Sequence, residues 1–196
     1  VGEGPDEVCS SYMFNWYAPD GESLDKCAKE LVKELHVYDC KRSDRCISYH
    51  GLEGRVPLLD PEVIEAYWQI PSEWRMPKYK GIEKWWLRKA FDGLNIIPDE
   101  VLWRKKEAFS DGVSSKEKSW YKIIQEKCEE LIKDSDLDKY QAPSKEACYF
   151  KMKFIETFGE NRLNIIPHYW LPKWDSNGND VTSYMDPSAR VLSVYD

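Results

Sequence analysis

In residues 23–38 the apolar side chains Leu24, Cys27, Ala28, Leu31, Val32, Leu35 and Tyr38 recur at spacings of three and four. Only a helix, at 3.6 residues per turn, gathers such positions on one side; a strand would scatter them over both faces. The stripe therefore commits this part of the chain to an amphipathic helix packed against a core, with Ser23 placed to cap it. The same periodicity runs from Pro5 through Val8, Cys9, Tyr12, Met13 and Trp16 to the breaker Pro19-Asp20-Gly21. Further on, Asp60 is placed to cap a helix with Pro61 in its first turn and Val63, Ile64, Tyr67 and Trp68 along it, and Pro71 to stop it. A short helix is expected over residues 98–103 and longer ones over 120–132 and 148–158. No segment alternates long enough to make a convincing strand. The predicted class is mostly α, with an irregular tail over residues 170–196.

Charge and hydropathy remove several functions. A formal net charge of −7 over 196 residues opposes nonspecific binding to nucleic acid and gives no support for an anionic membrane surface. No apolar run approaches the roughly 18–20 residues that span a bilayer, and no signal peptide opens the chain, so the expected compartment is cytoplasmic. The six cysteines form no C-x-x-C pair and read as scattered reduced thiols. Nine tryptophans are many for this length and imply large buried contacts or an aromatic-lined pocket. The first residue is Val1, and the most site-like loop begins at residue 2, which reads as a piece of a longer chain.

That loop, Gly2-Glu3-Gly4-Pro5-Asp6-Glu7, packs three carboxylates and two glycines into six residues. Pro5 suits a helix start, and Asp6 and Glu7 then fall in a first turn, where the helix dipole favours them by about 0.3–1 kcal/mol each. That is the bland account of both. Glu3 lies outside the helix between two glycines, where backbone can approach a ligand closely. The sharper reading gives Glu3 acid–base work and Asp6 or Glu7 a divalent cation, since magnesium is held by one or two carboxylates plus substrate phosphates. Asp39, Arg42 and Arg45 recur every third residue, which on a helix makes an ion-pair ladder, ordinarily a solvated one. Trp85-Trp86 in a basic segment could stack bases, but core packing suits an acidic protein better. Arg104-Lys105-Lys106, running into Phe109-Ser110-Asp111-Gly112, is either a surface basic run or a phosphate-binding arm.

Taken in order, Gly2-Glu3-Gly4 with Asp6-Glu7, Gly51-Leu52-Glu53 with Arg55-Val56-Pro57 and Leu59-Asp60, Arg104 with Lys106-Glu107 and Phe109-Ser110-Asp111-Gly112, and Asp186-Pro187-Ser188 with Ala189-Arg190 resemble the synthetase domain of glutamine-hydrolysing asparagine synthetases. The likeness covers residues 1–196, and four motifs in register make it specific. It implies the C-terminal helical part of an α/β ATP-pyrophosphatase domain, without the phosphate-loop half or the N-terminal glutaminase domain and its cysteine nucleophile. It further implies ATP and Mg2+ as cofactors, and aspartate and glutamine-derived ammonia as substrates. The product is asparagine, formed through an aspartyl-adenylate, and a homodimer is among the assemblies allowed.

By this resemblance Glu3 assists ammonia attack, Asp6 holds magnesium, and Lys106 grips pyrophosphate, with Gly2 and Glu3 also in the nucleotide loop. Asp39 and Arg42 match polar residues near the substrate pocket. Val1 and Pro5 depart from the family, which usually has serine at both places, and Val1 removes a hydroxyl near the adenylate. Two rivals are a β-lactam-forming synthetase, which Glu3 argues against, and a noncatalytic helical module on the same scaffold, which Glu3, Asp6 and Lys106 together argue against. Residues 1–196 by themselves are expected to be inactive, with apolar helix faces exposed.

Overall fold

In the computed structural model, which describes residues 1–107, 113 and 120–181 (Tyr121 by its backbone alone), the expected stripe forms a helix of fourteen residues, Gly21–Glu34. Its cap is Asp20, whose carboxylate accepts from the Ser23 amide at 2.7 Å, so Ser23 is the partner of the cap rather than the cap itself. The stripe beyond Leu35 does not continue in the same helix. A turn over Leu35 to Tyr38 re-aims the chain into a second helix, Asp39–Tyr49. The helix expected from Pro5 onward is also shorter than its periodicity: it covers Pro5–Val8 and ends where Ser10 takes a left-handed φ of 51°. Met13–Tyr17 then forms a separate 3-10 turn. The apolar pattern survives the break because Val8 and Cys9 before it and Met13 and Phe14 after it are all buried.

Numbered in chain order, the helices so far are α1 (Pro5–Val8), α2 (Gly21–Glu34) and α3 (Asp39–Tyr49). They are followed by α4 (Pro61–Trp68), α5 (Ser72–Arg75), α6 (Pro77–Lys80), α7 (Trp85–Phe91) and α8 (Asp99–Leu102). Asp60 caps α4 through the Glu62 amide at 2.9 Å. Among the described residues the only β pairing is an isolated antiparallel bridge, Trp174 with Asp180. The mostly helical class holds.

The chain divides into two compact units. One comprises Val1–Lys106 with Lys173–Asp180. Its core gathers Val8, Cys9 and Tyr67, with Val32, Leu59, Ile64 and Trp86 packed against them. The Trp68 indole donates to the Val8 carbonyl at 3.0 Å, tying α4 to the end of α1. α2 meets α5 so closely that a methyl group on Gly21 would lie 2.6 Å from the Glu73 amide nitrogen. Arg75 is buried beside α2, its guanidinium bonded to Asp25 and to the Ile70 carbonyl. Trp174 packs on Phe14, with ring centroids 5.9 Å apart, and docks the 173–180 segment on this unit.

The other unit lies within Glu107–Pro172. Its helices are α9 (Trp120–Leu131), α10 (Asp134–Tyr140) and α11 (Lys145–Phe158). α10 is additional to the sequence expectation. Ser144 caps α11, which begins three residues ahead of the expected start, accepting from Ala147 at 3.1 Å. Cys128, Ile132 and Cys148 form the buried contact points. None of the helices among the described residues is long and apolar enough to cross a membrane. Phe109-Ser110-Asp111-Gly112 and Asp186-Pro187-Ser188-Ala189-Arg190 lie outside the described residues, as does the tail beyond residue 181.

Candidate active site

The loop at residues 2–7 is bent at Gly4, whose φ of 103° few side chains tolerate. A methyl group there would also lie 2.3 Å from Leu59 Cδ2, so Leu59 seals the bend from beneath. On one side of Gly4 stands Glu3; on the other, after the helix-starting Pro5, stand Asp6 and Glu7.

Asp6 is the centre of a cationic cluster. Lys106 Nζ lies 2.8 Å from its Oδ2, and Lys84 Nζ 2.5 Å from its Oδ1. The Ser11 hydroxyl also donates to Oδ1, at 2.7 Å, and Lys106 donates a second bond to the Ser11 carbonyl, also at 2.8 Å. The left-handed Ser10 makes this possible, because it returns Ser11 to the start of α1, where its amide also bonds the Asp6 carbonyl at 2.9 Å. Burial works to raise the Asp6 pKa, but Lys106 and Lys84 outweigh it and hold the carboxyl well below the usual range. For Lys106 burial prevails and depresses the ammonium, with Asp6 opposing. Two ammonium groups thus converge on one carboxylate in a partly desolvated place, leaving positive charge in excess where an anion could bind.

Glu7 points the other way. It is 3% exposed, and the Tyr12 hydroxyl donates to its Oε1. Burial raises its pKa to about 7, against the Tyr12 hydrogen bond, which lowers it. The Tyr12 ring in turn lies under the Lys106 ammonium, 5.1 Å from the centroid. Glu7 is therefore a support beneath the cluster, and of the two carboxylates considered for a cation only Asp6 is placed to serve. Asp6 is held ionised, as a magnesium ligand must be, and a single carboxylate suffices when phosphates supply other ligands. Both its oxygens carry donors from Lys106, Lys84 and Ser11, however, so a cation could take them only if the lysines turned away. Among the described residues no group of three or more acidic, histidine or cysteine side chains could hold a metal without phosphates.

Glu3 belongs to a second, more open set. The Ser43 hydroxyl donates to Glu3 Oε1 at 2.5 Å, and Arg42 Nη2 lies 3.6 Å from the same oxygen. Arg42 also pairs with Asp39 one turn earlier on α3. Burial tends to lower the Arg42 pKa, but Asp39 and then Glu3 prevail and raise it. The residues singled out in the sequence thus fall into two groups, Glu3 with Asp39 and Arg42, and Asp6 with Lys106. Gly2 is exposed, with open space where a side chain would stand. Arg45 is exposed as well.

The sequence reading passed over Lys84, Ser11, Tyr12 and Ser43. Lys84 carries the most weight. It takes a left-handed φ of 58° just ahead of α7, a conformation that costs a non-glycine residue about 1 kcal/mol or more. That backbone outlier projects its ammonium onto Asp6, whereas the neighbouring tryptophans pack: Trp85 on Trp103 at 5.0 Å and Trp86 on Trp74 at 6.2 Å. No spacing rule would have separated Lys84 from the cations around it.

The family model described as asparagine synthase matches residues 16–177. Over 200 aligned residues the chain is 39% identical to an asparagine synthetase (glutamine-hydrolyzing) of Gallus gallus and 39% identical to that of Homo sapiens, and it is 38% identical to that of Bos taurus. In each case 99% of this chain is covered but only 34% of the relative, so the chain spans about a third of the length of the curated relatives it matches.

Proposed function

Because the chain belongs to the asparagine synthase family, we propose that it supplies the pyrophosphate-side and ammonia-side residues of an ATP-dependent amide synthesis. In the whole protein, an aspartate side-chain oxygen attacks the α-phosphorus of ATP. The bond between that phosphorus and the bridging oxygen breaks, and pyrophosphate departs. Ammonia derived from glutamine then attacks the acyl carbon, the bond to AMP breaks, and asparagine forms.

The observation that carries this reading is the convergence of Lys106 and Lys84 on Asp6, three residues from Glu3 in one loop. Cations fixed at a leaving group stabilise the charge that grows on it, and they do so most where water is partly excluded. Lys106 and Lys84 are suited to turn from Asp6 to the departing pyrophosphate. Asp6 would hold Mg2+, which when bound neutralises phosphate charge. Glu3 suits a different step. Its contacts among the described residues fall on Oε1, from Ser43 and Arg42, so Oε2 can take the proton that ammonia loses as it attacks. Asp39 acts through Arg42, which it orients beside Glu3. Gly2 keeps the approach to the loop open.

The phosphate-loop half of the nucleotide site and the glutaminase domain are the partners this reading requires in the same protein, together with aspartate and ATP as small-molecule substrates. The test measures pyrophosphate release and asparagine formation separately in the full-length protein. Glu3→Gln should still release pyrophosphate while losing asparagine, and Asp6→Asn should lose both. Parallel loss of both steps in the two variants would remove the division of labour between them.

A further inference from the structure

The left-handed conformation of Lys84 needs a cause, because a residue with a side chain adopts it only where its surroundings enforce it. A residue's φ and ψ set how the peptide plane before its Cα lies against the plane after it. The plane before Lys84 carries the Glu83 carbonyl, and the plane after it carries the Lys84 carbonyl. One residue holds both. Arg88 Nε donates to the Glu83 carbonyl at 2.8 Å, and the Arg88 amide donates to the Lys84 carbonyl at 2.9 Å, the bond that opens α7.

The guanidinium is itself fixed. Its Nη1 donates to the Leu102 carbonyl at the end of α8, so both of its bonds among the described residues go to backbone. A planar fork of N–H donors in fixed directions can join carbonyls of two separate segments, which the single nitrogen of a lysine cannot do in the same way. The opposite charge comes from Glu83, a buried carboxylate whose Oε1 accepts from the Trp16 indole at 3.3 Å and whose Oε2 has no hydrogen-bond partner among the described residues. Burial depresses the Arg88 pKa, and the Glu83 charge opposes that. Residue 83 is thus held at its side chain by Trp16 and at its carbonyl by Arg88.

We propose that Arg88 is the positioning residue for Lys84: by holding the peptide planes on both sides of it, Arg88 keeps Lys84 in the left-handed conformation that places its ammonium on Asp6. The inference rests on the assignment of Lys84 to the departing pyrophosphate and adds what enforces that placement. Arg88 acts through Lys84 and not on the substrate. Without the guanidinium the Glu83 carbonyl loses its anchor, the plane before Lys84 can turn, and the residue relaxes to an ordinary negative φ that carries its side chain off Asp6.

A double-variant cycle tests it, read by single-turnover pyrophosphate release in the full-length protein at saturating ATP and aspartate. Arg88→Lys, which keeps the charge and the backbone amide, should lose about tenfold, as Lys84→Met does. In the Lys84→Met background the same change should cost no more than about twofold, because the ammonium it positions is already gone. General damage to the fold would instead multiply, to about a hundredfold in the double variant. If Arg88→Lys fails to fold, Arg88→Met carries the same cycle. Near-normal release in both Arg88 variants, or losses that multiply, would overturn the inference and leave the role of Lys84 standing. Normal release in Lys84→Met would overturn both.

Discussion

Glu3 and Asp6 stand three residues apart, yet they occupy opposite electrostatic worlds. Glu3 meets Arg42, whose side chain is 66% exposed, and the Asp39–Arg42 pair extends the contact into solvent. Asp6 meets Lys106 and Lys84, which are 17% and 23% exposed. In the open set, water screens each pair and a lost contact is largely replaced by hydration. In the enclosed set it is the ammonium groups that are shielded, Asp6 itself being 31% exposed, so the same loss strands a lysine with few substitutes. Proximity in sequence therefore says little about how much a carboxylate matters; the extent to which its partners are shielded says more.

The contrast can be broken most directly at Lys106. Lys106→Ala in the full-length protein is expected to lower the rate of pyrophosphate release by about 10²–10³, or roughly 3–4 kcal/mol in the barrier. Single-turnover pyrophosphate release reads this, and a near-normal rate would take Lys106 out of the enclosed set. Next in size is a dependence on pH that divides neighbouring residues. Glu7 has a folded pKa of about 7, above its ordinary 4.5, so its contribution to stability is full below about 4.5 and is lost as pH rises through 7. Its ceiling is about 3 kcal/mol. Asp6, held below its ordinary 3.8, contributes stability above that value and loses it as pH falls further. Glu7→Gln should flatten the decline in denaturation midpoint between pH 5 and 7, and an unaltered decline would assign it to other groups.

Lys84→Met comes third, at about a tenfold loss in pyrophosphate release, because Lys106 and Ser11 remain on Asp6. A loss as large as that of Lys106→Ala would mean that the two lysines act as one unit. The smallest effect is expected from Arg42→Ala, which should change stability by less than about 1 kcal/mol in chemical denaturation. A larger change would show that the open set is less solvated than its exposure indicates.

What the sequence made legible was whatever depends on local pattern. The stripe of α2, the Asp60 cap and the stop at Pro71 need only a residue and its near neighbours, and each appears in the fold. Glu3, Asp6 and Lys106 stood out locally, as glycine-flanked carboxylates and a basic run, but only four motifs in register joined them, since no local pattern links residues a hundred positions apart. Two of the misplacements share one cause. Ser10 and Lys84 take left-handed conformations with no glycine to announce them, and those two residues cut α1 short and add the second ammonium to Asp6. Asp20 and Ser23 were both plausible caps, and only the backbone decides which accepts and which donates. Glu83 lay within a segment noticed for its tryptophans, and its burial arises from tertiary packing alone.

The bend at Gly4 has a bearing on the order of assembly. Leu59 sits where any side chain on residue 4 would have to go, and it belongs to the turn Pro57–Leu59, more than fifty residues further along the chain. During synthesis the loop with Glu3 and Asp6 emerges long before the residue that seals it, and Lys84 and Lys106 emerge later still. The two carboxylates are thus made ahead of the residues that hold them, and premature chain termination anywhere ahead of Leu59 would leave this loop without its floor.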